Sequence, residues 1–153
     1  MNTAARPLII GYGNPLRSDD GVGQRAASAL AAQLGDQAEV IVCHQLTPEL
    51  AEPLSRASRA LFIDVSVAGQ PGTIATRVVA PDGTDSGPLS HHLSAATLLL
   101  MAERLFGHAP PTTLLTVSGT NFDHGEQLSP AVAAALPRLV HQALDSLRVV
   151  SHA

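Results

Sequence analysis

The chain of 153 residues contains no lysine; all nine of its basic residues are arginine. That absence excludes the phosphate-gripping lysine of a P-loop and the amine of a Schiff-base enzyme. Tryptophan is absent too, and aromatic residues make up only 3% of the chain. With Cys43 as the single cysteine, no internal disulfide can form, which fits a reducing compartment. A net charge of -4 leaves no basic footprint for nucleic acid. No apolar run approaches the roughly 18 residues of a membrane span. Met1 to Pro7 holds no signal-type apolar segment ahead of the first strand, so the expected location is cytoplasmic. G-x-S-x-G, C-x-x-C and H-E-x-x-H are all missing. Without the usual nucleophile motifs, a metal-centred chemistry gains weight.

What is present reads as an ordinary globular balance, 45% apolar and 14% charged. The length suits one domain over residues 1–153. Leu8 to Tyr12 reads as a buried parallel strand, and Gly21 to Leu34 as a helix closed by Gly35. A second strand is expected at Glu39–His44, then a short helix from Pro48 to about Ser58 capped by Thr47, then a third strand at Ala60–Val65. Gly72–Ala80 alternates like an edge strand, and Pro81–Ser90 reads as a loop. His92–Leu105 reads as a helix and Thr113–Val117 as a strand. Ser129-Pro130 opens a long last helix that Pro137 is expected to kink. The alternation implies an α/β fold: a three-layer sandwich around a mostly parallel twisted sheet, with helices on both faces.

The chemistry concentrates at the carboxyl ends of the strands, where sites of open parallel sheets form. The first strand runs into Gly11-Tyr-Gly-Asn-Pro-Leu-Arg-Ser-Asp-Asp-Gly-Val-Gly23. Strand, glycine turn and helix start resemble a nucleotide-binding unit, but the charge argues against a phosphate. A helix N-terminus attracts anions, and Asp19 and Asp20 already occupy that field. They suit a cation. Asp64 lies near the end of the third strand, and His91 and His92 lie at the start of a helix. Two carboxylates and an imidazole make a mixed O/N ligand set, suited to borderline divalent metals such as Ni, Zn, Co or Fe. Each residue also has a structural reading: Asp20 as a helix cap, Asp64 as a turn cap, the adjacent histidines as surface residues. Cys43 reads as core. His44 follows it at a strand end, near the site. His124 sits in a loop after the fifth strand, where a surface role is favoured over one bordering the site, and His108, His141 and His152 look solvent-facing.

These residues resemble the signature G-x-G-N-x-L-x-x-D-D/E-x-x-G of the [NiFe]-hydrogenase maturation endopeptidases. The Asp of Phe62-Ile-Asp-Val-Ser, the H-x-L segment His91-His-Leu, Leu114-Leu-Thr-Val-Ser-Gly119 and Leu128-Ser-Pro-Ala-Val-Ala-Ala-Ala-Leu-Pro137 match in order, so the resemblance covers essentially the whole chain. It implies a peptidase that removes the C-terminal extension of the hydrogenase large-subunit precursor after nickel insertion. It also implies that the nickel comes with the substrate and that no organic cofactor is used. Carried over residue by residue, the catalytic and metal-contacting set is Asp20, Asp64 and His91, with His92 as the alternative to His91. The H-x-L spacing favours His91, while helix length favours His92. Asp19 is assigned to the turn. Where this chain has Asp20 the family often has Glu.

Two other classes stay open on the residues alone. A non-proteolytic nickel chaperone or scaffold would use the same ligands without cutting. A dinucleotide-binding oxidoreductase would need a third glycine where Leu16 stands.

Overall fold

The computed structural model describes residues 5–84 and 93–150. The predicted α/β sandwich is found. Strand β1 (Leu8–Tyr12) leads through a tight 3-10 turn at Ser18–Gly21 into helix α1 (Val22–Leu34). Strand β2 (Glu39–Cys43), helix α2 (Ala51–Arg56), strand β3 (Ala60–Ser66) and strand β4 (Ile74–Val79) follow. Helix α3 (Ala95–Phe106), strand β5 (Thr112–Ser118) and helix α4 (Pro130–Val150) complete the chain. The five strands lie in the order β2-β1-β3-β5-β4. All neighbours are parallel except β4, which runs antiparallel to β5 on the edge.

The apolar runs explain that order. Leu8, Ile9 and Ile10 are fully buried, and so are Phe62 and Ile63. Strands covered on both faces need such unbroken runs, so β1 and β3 stand in the middle. Successive side chains alternate between two cores. On one face Ile9, Leu61, Ile63, Leu115 and Val117 meet Val22, Ala26 and Leu30 of α1 and Val132, Ala135 and Leu139 of α4. On the other, Leu8, Ile10 and Phe62 meet Leu54 of α2 and Leu98 and Leu99 of α3. Each fully buried Leu, Ile or Phe contributes about 1.5–3 kcal/mol relative to exposure. Strand β4, mostly exposed, supplies little.

Several local expectations need correction. Asp20 does not cap α1; the helix starts at Val22 with Gly21 before it and no side-chain cap, because Ser18–Gly21 is already wound as a 3-10 turn. Thr47 makes no side-chain cap either; its carbonyl accepts the Leu50 N–H, and a 3-10 turn at Pro48–Leu50 precedes α2. Helix α3 begins at Ala95 rather than His92, because the Ser94 hydroxyl accepts the Thr97 N–H at 3.1 Å and sets the start. Helix α4 continues through Pro137 without a break. Pro137 and Ala133 are both exposed, so water can reach the carbonyl that the proline leaves without a donor. The expected Pro81–Ser90 loop is described only to Thr84, where Asp82 accepts the Thr84 N–H and hydroxyl.

Glycines set how closely α1 meets the sheet. Gly11 faces the Gly23 carbonyl and the Ala27 methyl, with no room for a side chain. A Cβ on Gly23 would stand 2.5 Å from the Ile63 carbonyl oxygen. The pair lets the start of α1 sit directly on the ends of β1 and β3. The order in which strands are added reverses at β1, since β2 lies on one side of it and β3 on the other. This is the switch point at which open parallel sheets form binding crevices.

Candidate functional site

A cleft of about 440 Å³ opens at that switch point. It is lined by Tyr12, Gly13, Asn14, Arg17, Asp20, His44, Gln45, Leu46, Asp64 and Leu93. Asp20 and Asp64, 44 residues apart in sequence and proposed as ligands from sequence, both face it. Asp64 arrives on β3 two residues after Phe62, so it lies on the α2–α3 side of the sheet. Tyr12 ends β1 on the same side, its ring edge-on to Phe62 at 6.4 Å and 83°.

Asp20 comes over the top from the β1–α1 turn. The Asn14 N–H donates to its Oδ2 at 2.8 Å. Thus a side chain of the chain itself takes a donor that a phosphate would need. The same turn is tied to β2: the Gly13 N–H donates to the Cys43 carbonyl at 3.2 Å. The Gln24 amide donates to the carbonyls of Gly13 and Cys43 at 2.8 and 2.9 Å.

The two carboxylates differ in how well they are served. Asp64 accepts one short bond, from its neighbour Val65 N–H at 2.7 Å. Burial pushes its pKa up to about 6; the Val65 N–H and the Tyr12 phenol pull it down, and the charge of Asp20 adds to the rise. The Tyr12 phenol is pushed up as well, chiefly by burial and then by the charge of Asp64. A half-buried carboxylate with few donors, beside a second carboxylate, is an electrostatic arrangement that a cation relieves.

Asp19 points the other way. It is fully buried and accepts four hydrogen bonds. The Thr120 and Asn121 N–H groups donate to Oδ2 at 2.9 Å each, and Ser129 donates through N–H at 2.7 Å and through its hydroxyl at 2.8 Å. Burial alone would raise its pKa, but these donors outweigh it and hold the group below the usual carboxylate value. The assignment of Asp19 to the turn stands, with a larger structural weight than a turn residue ordinarily carries.

His91 and His92 lie outside the described residues, and Leu93, which follows them, lines the cleft. Among the described residues no three His, Cys, Asp or Glu side chains stand close enough together to hold a metal ion. His44, noted in the sequence only as near the site, lines the cleft because β2 ends beside β1. Tyr12, Asn14 and Arg17 were missed as lining residues, although all three belong to the opening motif. Arg17 is held by its Nε, which donates to the Phe122 carbonyl at 3.1 Å. Cys43 packs against the α2–α3 core, and burial pushes its thiol up, away from a reactive thiolate. His108, His124 and His141 are exposed, as expected; His152 lies outside the described residues. No described helix is long and apolar enough to cross a membrane.

No family model and no curated protein matches the chain. Solved structures do. The hydrogenase maturating endopeptidase HybD from E. coli superposes with a TM-score of 0.76 and 27% identity, over 95% of this chain and 93% of that one. An endopeptidase from Escherichia coli, solved in solution, gives 0.75 and 26% over 95% and 93%. The [NiFe] hydrogenase maturation protease HybD from Thermococcus kodakarensis shares the fold at 0.70, with 24% identity over 93% and 99%.

Proposed function

We propose that this chain is a peptidase like the hydrogenase maturating endopeptidase whose fold it shares, that it removes the C-terminal extension of a [NiFe]-hydrogenase large-subunit precursor, and that it recognises the nickel of that precursor through Asp20 and Asp64. The observation that carries this reading is the pairing of those two carboxylates in one cleft. Two oxygens make a partial cation site. The remaining ligands come from His91 or His92 and from the substrate, which brings the metal with it.

In this reading the chain checks for metal before it cuts. Without nickel, Asp64 and Asp20 repel each other across the cleft and have nothing to grip. With nickel, the cation offsets both the burial of Asp64 and the nearby charge of Asp20. Substrate-bound nickel supplies Lewis acidity at the peptide to be cut. Hydrolysis then adds water to the scissile carbonyl and breaks the C–N bond. The new amine takes up a proton, and a carboxylate is left on the shortened subunit. The Asn14 N–H keeps Asp20 aimed into the cleft throughout.

The test is the mass of the precursor before and after incubation with the protein. Nickel-loaded precursor is shortened and nickel-free precursor is not. Equal cleavage of the two forms removes metal-gated recognition. Binding of loaded precursor without any change in mass establishes the chaperone reading instead.

A further inference from the structure

The loop from Gly119 to Ser129 returns from the end of β5 to grip the site turn from behind, and its contacts converge on Asp19. Besides the four bonds to the carboxylate, the Asp19 N–H donates to the Asn121 carbonyl at 2.9 Å. The Ser18 N–H donates to the Gly125 carbonyl at 2.8 Å, and the Gly125 N–H returns a bond to the Leu16 carbonyl at 2.9 Å. The Ser18 hydroxyl donates to the Asp123 carbonyl at 2.8 Å. Gly119 is needed for this approach: a Cβ there would stand 3.0 Å from the Asp19 Cβ and 2.8 Å from a Val65 methyl. Ser18 itself holds a positive φ of 53°, a conformation that a non-glycine residue keeps only when its surroundings fix it.

We propose that Asp19 is a positioning residue for Asp20, with the 119–129 loop as its clamp. This rests on the assignment of Asp20 to the nickel-recognising cleft. In a 3-10 turn successive side chains diverge by about 120°. Fixing Asp19 inward therefore fixes Asp20 outward, toward the cleft. The donors to Asp19 come from the loop and the start of α4, and Asp19 joins neither hydrophobic core. What the clamp determines is the direction of the turn. Three of its donors meet at Oδ2 and one at Oδ1, so an amide cannot replace the carboxylate in either orientation. Its NH2 would face an N–H or a hydroxyl that is already donating.

The experiment compares Asp19→Asn, Ser129→Ala and a core control, Leu139→Ala, on nickel-loaded precursor. Leu139 is fully buried in the α1–α4 core, away from the turn. All are assayed well below their melting temperatures, with folding verified by circular dichroism. Asp19→Asn is expected to lower kcat by about 100-fold, the scale of a small misplacement at a reacting centre. Ser129→Ala, which keeps the carboxylate and loses one donor, lowers kcat less. Leu139→Ala lowers the melting temperature yet cleaves at the wild-type rate. Wild-type kcat in folded Asp19→Asn overturns the proposal, and so does an equal loss of kcat in the core control. If Asp19→Asn fails to fold, Ser129→Ala decides: reduced kcat supports positioning, unchanged kcat overturns it. Failure of the wild type to shorten loaded precursor is a different result, and it removes the role of Asp20 along with its positioning.

Discussion

The two faces of the turn Ser18–Gly21 carry adjacent carboxylates in opposite conditions. Behind the turn, Asp19 is sealed from solvent and has four donors. In front, Asp64 shares an open cleft with Asp20, its pKa pushed to about 6 by burial. A buried charge with four donors holds structure together. A half-buried carboxylate served only by its neighbour's N–H and the Tyr12 phenol, beside a second carboxylate, is kept at a cost in stability, and such costs concentrate where a ligand is to be met. The difference separates scaffold from site more sharply than burial does, because the more deeply buried of these groups is the structural one.

The strongest way to sharpen that contrast is to neutralise the front face. Asp20→Asn and Asp64→Asn keep size and shape and remove charge. Each is expected to reduce shortening of nickel-loaded precursor by more than about 100-fold, the scale of lost metal-borne charge stabilisation. Asp64→Asn should melt no lower than the wild type at neutral pH, since it relieves an unfavourable buried charge. Mass spectrometry and thermal melts read the two effects. A large drop in melting temperature would place Asp64 with Asp19 among the structural carboxylates.

Acidity tests the two faces in opposite directions. Asp19 is held below its usual pKa, so its contribution to stability is complete above about pH 3.8 and is lost as pH falls through its lower folded value. Asp64 is raised from 3.8 to about 6, so the unfolded chain ionises first as pH rises. Stability of the metal-free protein therefore declines between about pH 4 and pH 6, by roughly 3 kcal/mol at most. In the proposed role nickel capture needs ionised Asp64, so cleavage of loaded precursor is expected to fall as pH drops below about 6. Urea melts across this range should show the decline in the wild type and not in Asp64→Asn. Its persistence in that variant would assign the titration to another group.

The smallest effect is expected at Cys43, which lies near the cleft but belongs to neither face. Cys43→Ser should leave the cleavage rate unchanged and cost about 1 kcal/mol from placing a hydroxyl in a partly apolar setting. Loss of cleavage in a folded variant would point to covalent catalysis and undo the metal-centred reading.

The apolar runs of β1 and β3 made the central strands legible, and the Gly-Asn-acid pattern marked the turn between β1 and α1. Asp64 was legible only in combination: alone, an aspartate near a strand end reads as a turn cap, but Asp20 and the His91–His92 pair fall at the same predicted sheet edge. The roles of Asp19 and Asp20 were harder to separate. Two adjacent aspartates look alike until the donors are known, and three of the four donors to Asp19 are backbone N–H groups more than 100 residues away in sequence. Backbone donors leave no trace in residue type. Tyr12 read as one more strand residue because its ring packs with the core while its hydroxyl faces Asp64. The choice between His91 and His92 falls outside the described residues.

The clamp on Asp19 also bears on when the protein becomes competent during synthesis. Asp20 is made early, but the donors that aim its turn are not complete until Ser129 has been made and the start of α4 has docked. Contacts so distant in sequence form late, after loop closure across β5. Under the proposed clamp, the turn that carries Asp20 is aimed only once the start of α4 has docked.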